Sequence, residues 1–121
     1  MINGKHYWFV VLDYRVVDGD TLDLTLDLGM DISIKERVRL WGIDAAETRT
    51  KNLEEKEKGL AAKVFLETAL DDAKEKGYLI LFHSKVYARG KYGRLLGDIY
   101  AGGENFNITM LSEGIVEPYV K

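Results

Sequence analysis

The run DGDTLDLTLDLG at residues 18–29 decides the fold. Leu22, Leu24, Leu26 and Leu28 alternate with Asp23, Thr25 and Asp27. That period of two predicts a strand with one face toward a core and one toward water, ending at Gly29. Asp18-Gly19, just before it, is turn chemistry. Upstream, Tyr7 to Val17 is rich in aromatic and β-branched residues, so the first two strands are read as a hairpin around that turn. Downstream, Val38 and Leu40 alternate with Arg37, Arg39 and Trp41. A third strand is therefore predicted from Lys35 to Ile43, with Arg39 on the face opposite the two aliphatics. Asp18 and Asp20 then sit at a strand junction, and Asp44 at the end of the third strand.

The period changes between Glu54 and Lys76. Ala62, Phe65, Leu66, Ala69, Leu70 and Ala73 recur at helical spacing, the stripe of an amphipathic helix, and Gly77 is a natural stop. Tyr78 to Phe82 and Leu95 to Ala101 read as two further strands, after which Gly102 and Gly103 turn the chain. Asn107 can cap a short helix through Ser112, closed by Gly114. Three strands, a helix, two strands and a short helix make an α+β chain compatible with a five-stranded OB-fold β-barrel. Element order alone also admits other α+β folds.

At 121 residues and 46% apolar content, the chain is long enough to bury one core without metal or disulfide staples, and residues 1–121 are read as a single domain. Cysteine is absent, which excludes thiolate catalysis, zinc ribbons and disulfide frameworks. No stretch reaches transmembrane length and the first residues lack a signal-peptide cleavage signature. The expectation is a soluble, cytoplasmic monomer, with secretion left open if a leader has been removed. The formal net charge of -3 argues against broad coating of nucleic acid. Charge is uneven, however: His83 to Gly97 holds no acidic residue but contains Lys85, Arg89, Lys91 and Arg94. This stretch is either a solvated basic loop or a phosphate-facing patch.

Four islands carry chemistry when taken together. A carboxylate of the Asp18–Thr21 island, partnered by Asp44, can hold a hard cation through oxygen, with open positions left for a phosphate. Glu47 can orient or deprotonate water. Arg39 and Arg94 can make charge-assisted contacts that strengthen as charge builds on phosphorus, and Lys91 and Tyr92 can hold a terminal phosphate or stack on a base. Each island alone has an ordinary reading: a turn, a pre-helix carboxylate, or an arginine reaching to solvent.

The runs VVDGDTL (16–22), VRLWGIDAAET (38–48) and KYGRLLGDIY (91–100), followed by Asn107, Met110 or Leu111 and Gly114, resemble the staphylococcal nuclease (thermonuclease) family over nearly the whole chain. The resemblance implies an OB-fold barrel with packed helices and a Ca²⁺-dependent endonuclease acting on DNA and RNA to leave 3'-phosphate and 5'-hydroxyl ends. It implies metal binding by Asp20, Asp44 and the backbone carbonyl of Ala45, catalysis by Arg39, Glu47 and Arg94, and contacts to a nucleotide phosphate from Lys91 and Tyr92. Ala46 stands where the family usually has proline, so the loop bearing Glu47 lacks a ring that would fix φ. The rival reading is a non-catalytic OB module that binds single-stranded nucleic acid or a peptide.

Overall fold

Burial follows the leucine alternation. The computed structural model describes residues 7–89 and 95–119, the side chains of 86–89 excepted. In β2 (Thr21–Gly29) Leu22, Leu24 and Leu26 are buried, whereas Leu28 has run past the rim and is exposed. β2 lies between β1 (Tyr7–Asp18) and β3 (Ile32–Leu40), antiparallel to both, and Asp18 pairs with Thr21 across the first turn. β5 (Ile80–Arg89) pairs antiparallel with β1 and with β6 (Leu95–Ala101). β6 returns to β3 in parallel, from Val38 opposite Leu95 to Leu40 opposite Gly97. That pairing closes a five-stranded barrel in the order β3-β2-β1-β5-β6. The OB-fold expectation is met.

α1 (Leu53–Glu75) is capped by Asn52, whose side chain accepts from the Glu55 N–H at 3.1 Å. It seats Ala62, Leu66, Leu70 and Ala73 on the core, and Gly77 leaves it at φ +80°. The hydroxyl of Tyr14 on β1 donates to the Asp71 carboxylate on α1. Burial, and then the bond to Asp71, raise the Tyr14 phenol well above its ordinary value. The fold thus favours the protonated form. Its contribution is intact at neutral pH and fades as pH rises beyond about 10. Tyr14→Phe is expected to lower stability by about 1 kcal/mol and to flatten this alkaline loss, as read from denaturation midpoints between neutral and alkaline pH.

Four details differ from the sequence expectation. The third strand runs from Ile32 to Leu40 instead of Lys35 to Ile43, because pairing with β2 begins at Gly29 opposite Ile32 and Gly42 turns the chain at φ +76°. Ile43 and Asp44 form a separate strand, β4, which pairs with β8 (Glu117–Pro118). β5 runs from Ile80 to Arg89 instead of Tyr78 to Phe82, since pairing with β1 and β6 carries the strand through His83, Ser84 and Lys85, a polar run with no apolar alternation to mark it. α2 (Phe106–Ser112), after the short β7 (Glu104–Asn105), is capped by Asn105, not Asn107. Asn107 is inside the helix and only 2% exposed, with its amide committed to β6.

Candidate active site

A two-residue turn between β1 and β2 brings Asp20 to the barrel rim. Gly19 is required there by close packing: a Cβ would lie 2.6 Å from the Ala62 Cβ of α1. Asp20 is buried, and each of its oxygens has a partner. Oδ1 accepts from Thr21 Oγ1 at 2.9 Å, and Oδ2 accepts from the Ala45 N–H at 3.0 Å. The Asp20 carbonyl accepts from Leu40 N at 2.8 Å, tying the turn to the end of β3.

Arg39 points outward from β3, between buried Val38 and Leu40. Its Nη2 lies 3.4 Å from Asp20 Oδ2 and 3.2 Å from Asp44 Oδ1. One nitrogen is therefore shared by carboxylates that are 24 positions apart in sequence. The guanidinium also lies over the Tyr119 ring, 4.8 Å from its centroid, and the Tyr119 N–H donates to the Gly42 carbonyl at 3.0 Å. A cation placed between backbone-anchored partners needs little reorganisation to meet an anion.

Glu47 is exposed on the loop after β4. Three contacts hold that loop without the family's proline. Ala45 N–H is bound by Asp20, and Thr48 Oγ1 donates to Asp18 Oδ1 at 2.7 Å. The backbone of Ala46 and Glu47 packs directly on Gly59 of α1, where an added Cβ would sit 2.7 Å from the Ala46 carbonyl oxygen. A groove of about 960 Å³ opens beside the loop. Asp44, Glu47, Glu54, Glu55 and Glu117 line it, with Lys58 as the cation among its described lining residues.

The structure thus brings together Asp20, Arg39, Asp44 and Ala45, with Glu47 on the adjoining loop. Lys91, Tyr92 and Arg94 lie outside the described residues. Thr48 and Gly59 support the site through a hydroxyl bond and close packing that no spacing rule flags, and Thr21, at the end of the Asp18–Thr21 island, bonds Asp20 through its hydroxyl. Tyr119, next in the chain after β8, is a further residue at the site, its ring lying against the Arg39 guanidinium. Among the described residues no three His, Asp or Glu side chains group to hold a metal ion; the side-chain oxygens that could hold one are those of Asp20 and Asp44. That set is all hard oxygen, and it fits a hard cation such as Ca²⁺ with positions left open.

These features define a closed OB-type barrel with an arginine and two carboxylates meeting on its rim. A family model described as staphylococcal nuclease homologue matches residues 37–120, and the chain belongs to the staphylococcal nuclease family. It is 35% identical over 114 residues to the thermonuclease of Staphylococcus intermedius, covering 94% of this chain and 60% of that protein. It is 37% identical over 109 residues to the SPbeta prophage-derived endonuclease YokF of Bacillus subtilis (strain 168), covering 88% and 32%. The endonuclease YncB of the same strain is 34% identical over 116 residues, covering 93% and 49%. The chain therefore spans between about a third and three fifths of the length of these relatives. No helix among the described residues is long and apolar enough to cross a membrane.

Proposed function

We propose that the chain is a metal-dependent phosphodiesterase that cleaves DNA and RNA, leaving 3'-phosphate and 5'-hydroxyl ends. The observation that carries this reading is the meeting of Asp20 and Asp44 on one guanidinium nitrogen of Arg39. The relatives named as a thermonuclease and endonucleases support it. The carboxylates of Asp20 and Asp44 and the carbonyl of Ala45 would hold the cation, proposed as Ca²⁺. Bound there, it would neutralise charge on the scissile phosphate. Arg39 has five N–H donors in a planar fork and can exchange its carboxylate partners for phosphate oxygens. Glu47, exposed at the groove, orients a water for in-line attack or takes its proton. Arg94 is assigned the second phosphate contact, and Lys91 and Tyr92 the terminal phosphate, on the strength of the KYGR motif. The substrate is proposed to be single-stranded or locally open, bound by a monomer.

The test is cleavage of single- and double-stranded DNA in Ca²⁺ by the parent chain, set against chelator and against Glu47→Ala. Cleavage that needs Ca²⁺ and falls at least about 100-fold in the variant is expected. Cleavage that persists undiminished in chelator would remove the metal from the mechanism. Binding without any cleavage in Ca²⁺ would favour the non-catalytic OB module instead.

A further inference from the structure

Trp8, His83 and Tyr100 form an aromatic cluster on the barrel wall that the proposed chemistry does not use. The register pairs Trp8 with His83 and His83 with Asp98. Because the alternating residues Phe82 and Ile99 are buried in the core, His83, Asp98 and Tyr100 belong to the outer face. The Trp8 indole stacks on the His83 ring at 4.2 Å and 13°, and Tyr100 leans against it at 5.0 Å. His83 thus backs one face of an indole that is still 53% exposed. Single exposed aromatics are ordinary on sheets, and cross-strand pairs stabilise them. Here the surroundings point further.

Arg39 is flanked by β2 at Thr21 and by β6 at Leu96. Toward Thr21 lies the buried Asp20, and Arg39 is also held by Asp44, which lines the acidic groove; carboxylates make a poor path for a polyphosphate chain. On the other side, the outer face of β6 runs Leu96, Asp98, Tyr100. Asp98 is buried there, its Oδ2 paired with Lys85 Nζ at 3.1 Å and its Oδ1 accepting from Asn107 Nδ2 of α2 at 3.0 Å, so both of its oxygens have partners. Four strand steps lead from Leu96 to Tyr100, roughly 13 Å of travel. That is a reach of a few nucleotides, and it ends on a rigid stacking surface.

Resting on the phosphodiesterase reading, we infer that Trp8, backed by His83 and Tyr100, is a base-stacking subsite for single-stranded nucleic acid, a few nucleotides from the phosphate held at Arg39. Stacking on an aromatic ring tolerates any base and adds affinity at each position it engages. The subsite would therefore set how affinity grows with substrate length, without contributing to the bond-breaking step.

The test measures binding in Ca²⁺ in a Glu47→Gln background, so that affinity is read without cleavage. The ligands are a thymidine oligonucleotide of about ten residues and a nucleoside bisphosphate that fills only the phosphate site. Trp8→Ala is expected to weaken the oligonucleotide at least about five-fold and to leave the bisphosphate unchanged, while Trp8→Phe retains most of the affinity. In a Trp41→Phe chain, Trp8 is the sole tryptophan, and its fluorescence should be quenched by the oligonucleotide but not by the bisphosphate. Unchanged oligonucleotide affinity, equal losses for both ligands, or a loss that tracks dissociation of a dimer in sedimentation would each overturn the subsite. Cleavage by chains that retain Glu47 reports separately on the phosphodiesterase reading, so the two can fail independently.

Discussion

Arg39→Ala is expected to lower turnover of an oligonucleotide in Ca²⁺ by at least 10²- to 10³-fold, about 3–4 kcal/mol of transition-state stabilisation. The side chain is the shared partner of Asp20 and Asp44, so its loss acts twice. No fork of donors remains for the phosphate as charge accumulates, and two carboxylates face each other without a protein counter-charge. Arg39→Lys should recover little, because an ammonium cannot reproduce planar two-point contact or the stack on Tyr119. Stability should change far less, by about 1–2 kcal/mol, because Asp20 keeps its bonds to Ala45 and Thr21. Measuring kcat alongside the thermal midpoint separates the two effects. A variant within ten-fold of the parent in kcat would refute the assigned role.

The largest effect on stability is expected from Asn107→Ala, on the order of 3–5 kcal/mol. The Asn107 Oδ1 accepts from the Ile99 N–H at 3.2 Å, while Nδ2 donates to the Trp41 carbonyl at 2.9 Å, the Gly97 carbonyl at 3.3 Å and Asp98 Oδ1 at 3.0 Å. One side chain thus joins α2, the middle of β6 and the exit from β3. Truncation leaves the Ile99 donor and the Trp41 carbonyl without that partner, in a place water reaches poorly. Gly97 keeps the Trp41 N–H at 2.7 Å, and Asp98 keeps Lys85. Chemical denaturation is the direct measurement, and a loss below about 1 kcal/mol would show that the network is dispensable. Because Trp41 follows Arg39 by two residues, loosening at this joint should also lower activity in whatever fraction remains folded.

Periodicity determined much of this protein before any contact was known. Leu22, Leu24 and Leu26 alternate because a half-buried strand has two unlike faces, and Ala62, Leu66, Leu70 and Ala73 recur because one face of a helix meets the core. Both patterns are local, so sequence alone sufficed for β2, the long helix and the outward face of Arg39, but not for the ends of β3 or the later part of β5. The run of motifs likewise brought Asp20, Asp44, Ala45 and Glu47 into one hypothesis.

What only the tertiary structure decided depends on partners distant in the chain. Asn107 looked like a cap because Asn is favoured at helix starts, yet Asn105 caps α2 and the Asn107 amide is taken by β6. The end of β3 looked continuous to Ile43, yet Gly42 turns the chain and hands Asp44 to β4, where β8 can pair with it. No local pattern encodes the parallel β3–β6 closure, the Thr48–Asp18 bond or the packing of Gly59 under the Glu47 loop. Local sequence fixes which face a residue presents. Which group it meets there is set by chain segments tens of residues away, brought together when the barrel closes.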